Sequence, residues 1–221
     1  MNKKKIIISA LVVLLFIVGA MLYSWQLEEY AKWHKYVPTN EFTIKEADGK
    51  KIIKHKGTKL TMEIPIDWQI EKDEESLFFK SPDFELYSEE ENYSFPIFKK
   101  GCGVLTYISK EKKVGVYEME YDDLQNQINW YLESPEEYKA SYSDTTYYDE
   151  IIKINGNYAI RNIYSSKEDS LEDESVLSGK YISLKIPKNK YIYVFETYLF
   201  SENKDQCEQD FNKFLETIVI K

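Results

Sequence analysis

Lys3, Lys4 and Lys5 are followed by eighteen residues, 6–23, that carry no charge. No half-buried strand or solvent loop has use for such a run. A helix rising about 1.5 Å per residue covers roughly 27 Å over that length, close to the ~30 Å hydrocarbon core of a bilayer. Lysines ahead of the run and none directly behind it favour an inside amino terminus. Tyr23 and Trp25 fall where the outer interface would lie. Residues 1–25 therefore read as a signal-anchor transmembrane segment, with the rest of the chain on the extracytoplasmic side of the cell membrane. A cleaved signal peptide is the alternative, with residues 6–18 as its apolar centre and cleavage after Ala20, which would leave a secreted protein. With no cysteine near the end of the run, a lipoprotein anchor is excluded.

The formal charge is −9, and because the first 23 residues hold three lysines and no acid, the remainder carries −12. Such a surface repels nucleic acid and anionic headgroups, so no nucleic-acid partner is expected. Arg161 is the single arginine in the chain. Tyrosine is abundant, at 19 residues, and many fall in alternating segments. These suit a half-buried pleated surface, and equally a carbohydrate-binding aromatic platform. Cys102 and Cys207 are the two cysteines; in an oxidising compartment they pair, and otherwise they are two buried thiols.

Residues 26–41 read as a juxtamembrane helical stalk, with Leu27, Tyr30, Trp33 or His34 and Val37 at helical spacing until Pro38 stops it. As a spacer it holds aromatics at headgroup level; as a docking element it offers Tyr30 and Trp33 to a partner helix. The folded domain is expected over 42–221, opening with a hairpin around Asp48-Gly49. Leu60, Met62 and Ile64 then alternate with polar residues until Pro65 ends the strand. Residues 85–100 are acidic and aromatic without periodicity, as in an insertion. Asp122 and Gln125 open a helix with Leu124, Ile128, Tyr131 and Leu132 on one stripe, ended by Ser134-Pro135. Asn155-Gly156 is the strongest hairpin signal. Residues 167–175 read as a charged loop, 191–200 as a doubly covered central strand, and 204–217 as an amphipathic helix.

This order resembles the PsbP-like fold. The first matching stretch is residues 57–68, a strand running into Pro65-Ile66-Asp67-Trp68, with Phe78, Phe79 and Ser81-Pro82-Asp83 following. The second is residues 181–187 and 191–198 with the closing helix that ends Phe211-Asn212-Lys213-Phe214-Leu215-Glu216-Thr217-Ile218. The resemblance covers residues 50–221 loosely, and the insertion departs from it. It implies an α+β fold: an N-terminal transmembrane helix, then an antiparallel sheet domain with helices packed on it as an α/β/α sandwich. Members are mostly binding or assembly factors, and no catalytic residue is carried across.

Catalysis needs titratable groups that act together. His34 and His55 lack an acid at helical ligand spacing, so no metal site is predicted. No nucleophile elbow or phosphate-cradling loop occurs, no cofactor is implied, and no catalytic residue is assigned. Gly101-Cys102-Gly103 would suit a nucleophile only with a base that the sequence does not supply; otherwise it is a tight turn. Glu89-Glu90-Glu91, Glu168-Asp169 and Glu172-Asp173-Glu174 lack calcium-loop spacing and read as solvated faces. Arg161 and Glu196 each stand where apolar neighbours point, and a lone charge there is costly. A buried ion pair between them is expected, with a ligand-binding arginine as the other reading. The function expected is a membrane-tethered, extracytoplasmic, non-catalytic module that binds an envelope protein. The alternative is an envelope enzyme whose site single residues do not reveal.

Overall fold

The structure, a computed structural model, describes residues 34–86, 98–111, 120–141, 147–168, 177–199 and 204–221. The first strands are β1 (His34–Tyr36), β2 (Phe42–Ala47), β3 (Lys50–His55), β4 (Leu60–Pro65), β5 (Gln69–Lys72) and β6 (Ser76–Lys80). β7 (Glu85–Leu86), β8 (Phe98–Lys100) and β9 (Gly103–Glu111) follow, then helices α1 (Glu120–Glu133) and α2 (Pro135–Ser141). β10 (Tyr147–Ile154), β11 (Asn157–Glu168), β12 (Leu177–Lys188) and β13 (Tyr191–Leu199) lead to α3 (Lys204–Glu216) and β14 (Val219–Ile220).

Paired left-handed residues turn the chain back on itself in three hairpins. Asp48-Gly49 has φ 52° and 73°, Asn155-Gly156 has 45° and 86°, and Asn189-Lys190 has 54° and 65°. Two successive positive φ values match the twist of antiparallel strands, which is why Asn-Gly and Asp-Gly occupy two of these turns. The large sheet runs β10-β11-β12-β13-β9-β6-β5 with β1 beside β9; a second sheet runs β14-β4-β3-β2, and β7 pairs with β8.

Strands of the large sheet bury both faces. On one, Ile182, Leu184, Tyr193 and Phe195 pack with Ile53 and Met62 of the second sheet and Cys207, Phe211 and Phe214 of α3. Each such fully buried side chain contributes about 1.5–3 kcal/mol. The Tyr193 hydroxyl crosses between the sheets to donate to the Thr58 carbonyl at 3.0 Å. On the opposite face, Ile151, Ile160, Ile192 and Val194 lie under Leu124 and Ile128 of α1 and Tyr138 of α2. The last strand completes the second sheet by pairing Val219 with Thr61. Asn155 Nδ2 donates to the Glu216 and Ile218 carbonyls at 2.8 and 2.7 Å, tying the β10–β11 turn to that end.

The expected α+β fold, a transmembrane helix followed by an α/β/α sandwich, is corrected. Fourteen antiparallel strands outweigh three α-helices among the described residues, and a second sheet with one helix, rather than a helical layer, closes one face. Strand content exceeds the sequence reading because short strands such as β5 and β14 carry too few residues to show alternation, and because β11 runs on to Glu168, two residues into the stretch read as a charged loop. No helix among the described residues is long and apolar enough to cross a membrane, and residues 1–25 lie outside them. The helical stalk over 26–41 is also corrected where it is described. Residues 34–36 form β1, and Tyr36 pairs with Ser109, so Tyr36 and Val37 are held by strand bonding rather than helical periodicity. Ser134-Pro135 ends α1 and also starts α2, since proline lacks only an N–H that a first helical turn leaves unbonded anyway.

Candidate functional site

Strand register sorts the helix-bearing face of the large sheet into rows. Ile151, Ile160, Lys185, Val194 and Tyr107 face one another across β10, β11, β12, β13 and β9. The apolar members of this row lie under α1 and α2. Two residues further along, the row is Asp149, Asn162, Ser183, Glu196, Leu105 and Phe78. Two further again, Tyr147, Tyr164, Tyr181 and Tyr198 form an in-register ladder across four strands. Side chains two apart on a strand share a face, so the polar row and the ladder form one surface beside the helices.

Glu196 is the centre of that surface. It is buried at 8% exposure, on the middle strand β13. Its Oε1 accepts the Tyr107 hydroxyl and the Ser183 hydroxyl, each at 3.3 Å. Burial first, then the Glu196 charge and a hydrogen bond to it, push the Tyr107 and Tyr181 hydroxyls far above their ordinary pKa. Tyr198 is raised by burial and then by Glu196. Tyr36 is raised by burial, then by Glu75, Glu120 and Glu196. The Tyr181 and Tyr198 rings lie 4.8 Å apart, and Tyr36 meets Tyr107 edge-on at 5.7 Å. At the far end of the polar row, Asp149 accepts Asn162 Nδ2 at 2.5 Å and the Tyr147 hydroxyl at 3.2 Å. Tyr147 and Tyr164 keep 43% and 46% exposure, so the ladder opens to solvent at that side. At the other side, Tyr36 borders an open groove of about 630 Å³ lined also by Thr39, Asn40, Asp73, Glu74 and Glu75.

Arg161 and Glu196 are not brought together, which corrects the expected ion pair. Arg161 faces Leu184, which faces Phe195, so Arg161 lies on the α3 side of the sheet and Glu196 on the other. Both faces of β13 are apolar, and alternation therefore could not say which one Glu196 occupies. Arg161 pairs instead with Glu150, its direct neighbour on β10, at 3.2 Å. Its Nη2 is 3.5 Å from Glu208 of α3, close enough for charge attraction but without hydrogen-bond alignment. Lys180 holds the other Glu208 oxygen at 3.2 Å.

Cys102 and Cys207 are joined in a disulfide with a Cα–Cα distance of 5.2 Å, pinning α3 to the start of β9. Neither sulfur is a thiol, so Gly101-Cys102-Gly103 offers no nucleophile. Its glycines are steric: a Cβ on Gly101, at φ 76°, would lie 2.6 Å from the Phe84 backbone, and one on Gly103 2.8 Å from the Phe78 ring. The sequence reading missed a partner for His55. Its ring is buried, with Nδ1 accepting the Thr58 N–H at 3.0 Å and Nε2 meeting Glu41 at 3.0 Å. Only tertiary pairing of β2 with β3 brings Glu41 there. Among the described residues no group of three or more His, Cys, Asp or Glu could hold a metal ion. The His34 side chain and the acidic clusters at 89–91 and 168–174 lie outside the described side chains.

No protein-family model matches the chain, and no curated protein matches its sequence.

Proposed function

We propose that the chain is an extracytoplasmic, non-catalytic binding module, delivered across the membrane by its lysine-headed apolar run, and that it holds an envelope protein on the tyrosine ladder at its exposed Tyr147–Tyr164 end. The observation that carries this reading is the in-register ladder of Tyr147, Tyr164, Tyr181 and Tyr198, open to solvent at Tyr147 and Tyr164 and backed by the buried Glu196. Tyrosines present large amphipathic area at low entropic cost, and the buried row of Asp149, Ser183 and Glu196 beside them fixes the Tyr107 and Tyr147 hydroxyls by hydrogen bonding. The raised hydroxyls of Tyr107 and Tyr181 keep their protons far above neutral pH. They therefore suit hydrogen-bond donation better than proton transfer, which works best with a pKa near the working pH. The Cys102–Cys207 bridge favours an oxidising compartment.

The test places a photo-crosslinking residue at Tyr164 in the tagged full-length chain in its native membrane, with one at exposed Ile66 as control. One stoichiometric envelope protein captured from position 164 and not from 66 supports the reading. Capture at neither position, or equal capture at both, removes it.

A further inference from the structure

We infer that Asn155 is a self-modification site: its side chain deamidates onto Gly156 when residues 216–218 let go of it, and the product cannot take hold of them again. Asn155-Gly156 is the single Asn-Gly step in the chain. With no Cβ, glycine obstructs its own amide nitrogen least, so an asparagine side chain closes most readily on a following glycine. Both residues are exposed at the β10–β11 turn, where water and base reach them. In the reaction the Gly156 nitrogen attacks Asn155 Cγ. A C–N bond forms, the Cγ–Nδ2 bond breaks, and Nδ2 leaves as ammonia with the proton that Gly156 gives up. Water then opens the cyclic imide at either carbonyl, leaving aspartate or its β-linked isomer. The sum is one water in and one ammonia out.

In the folded chain the reacting group is tied elsewhere. Asn155 Nδ2 donates to the Glu216 carbonyl at 2.8 Å and to the Ile218 carbonyl at 2.7 Å, which uses both amide hydrogens. Cγ cannot swing over the Gly156 nitrogen without breaking both bonds. The imide would also have to form inside a turn held at φ 45° and 86° between the paired Ile154 and Asn157. Two hydrogen bonds of ordinary net strength correspond to a slowing of about tenfold or more. Release is one-way, because an ionised carboxylate only accepts. Where two N–H groups met two carbonyls, the product would set oxygen against oxygen. β14 is two residues long, pairing Val219 with Thr61 and Ile220 with Leu60, so it leans on ties outside its own ladder. Thr217 Oγ1 accepts the Glu63 N–H at 3.0 Å, and Lys188 Nζ donates to the Ile220 carbonyl at 2.5 Å. Asn155 adds a third tie, and it is the one that opening destroys.

The inference does not depend on the tyrosine face being the partner site. It is tested on the full-length chain in detergent micelles at mildly alkaline pH, folded and in urea, by peptide mass spectrometry of the mass gain at Asn155. The folded chain should react about tenfold or more slowly than the unfolded one. Thr217→Val removes a tie on the same segment and leaves the turn sequence intact. It should raise the folded rate several-fold and leave the unfolded rate unchanged, with protection of the β13 amides checking that the variant is folded. Asn155→Asp installs one product directly and should speed hydrogen exchange at residues 219–220 several-fold while β13 keeps its protection. Equal rates in the folded and unfolded chain overturn the inference, and so does the absence of product in both. A folded rate indifferent to Thr217→Val, or exchange at residues 219–220 indifferent to Asn155→Asp, also overturns it.

Discussion

Tyr107 on β9 donates its hydroxyl hydrogen to Glu196 on the neighbouring strand β13 at 3.3 Å, diagonally across the ladder rather than directly opposite. The carboxylate thereby serves tyrosines from both flanking strands, with Tyr181 approaching from β12. Glu196→Gln keeps an acceptor at the same place and removes the charge. The Tyr107 and Tyr181 hydroxyls should then ionise at lower pH, still above 10 because burial persists. Tyrosinate absorbance during alkaline titration reads this directly; unchanged curves would mean another group holds those protons.

Tyr193 makes a separate prediction. Burial pushes its hydroxyl up to about 12, against a partial lowering by the bond to Thr58. Its neutral form is favoured in the folded chain, so this stabilisation is complete below pH 10. It is lost as pH rises from 10 to about 12, because the unfolded chain releases the proton first. Tyr193→Phe should give a shallower fall in Tm with pH across that window than the wild type.

Arg161→Leu should cost about 1–3 kcal/mol, less than breaking a fully buried pair, since Glu150 and Glu208 each retain 28% side-chain exposure. Because Glu196 is on the other face, combining this change with Glu196→Gln should be additive within about 0.5 kcal/mol. A larger coupling in urea melts would put the two charges in contact.

Replacing Cys102 and Cys207 together with serine releases a crosslink spanning 105 residues. The loss expected is about 2–5 kcal/mol, entropic in the chain-closure account. Denaturant curves of the variant should agree with those of wild type under reductant, and both should fall short of oxidised wild type by that amount.

Lys190 holds φ 65° at a turn position where glycine sits at no steric cost. Lys190→Gly should raise stability by about 0.5–1 kcal/mol, and Gly156→Ala, at φ 86° in the matching turn, should lower it by about 1 kcal/mol. Thermal melts of the two variants should move in opposite directions.

Local chemistry was legible before the fold was. Asp48-Gly49 and Asn155-Gly156 announced two hairpins, and the alternation of Leu60, Met62 and Ile64 announced β4. The amphipathic stripe of α3 was visible in Phe211, Phe214 and Leu215. What escaped was whatever depends on register between strands far apart in sequence. Tyr147, Tyr164, Tyr181 and Tyr198 are 17 residues apart at each step, and only pairing of β10 to β13 makes them a ladder. The face of Glu196 was hidden because a strand apolar on both sides has no alternation to read. His55 and Glu41 met through the β2–β3 hairpin, and β5 was too short and polar to register as a strand.

The pairing of Val219 with Thr61 has a temporal consequence. The second sheet cannot close until residues 219–220 reach a segment made more than a hundred residues earlier, and Asn155 waits for the same stretch of chain. Until then Leu60 and Met62 have only their hairpin neighbours. Order of synthesis and order of closure therefore run apart, and strands made early keep an incomplete sheet until one made much later locks the core.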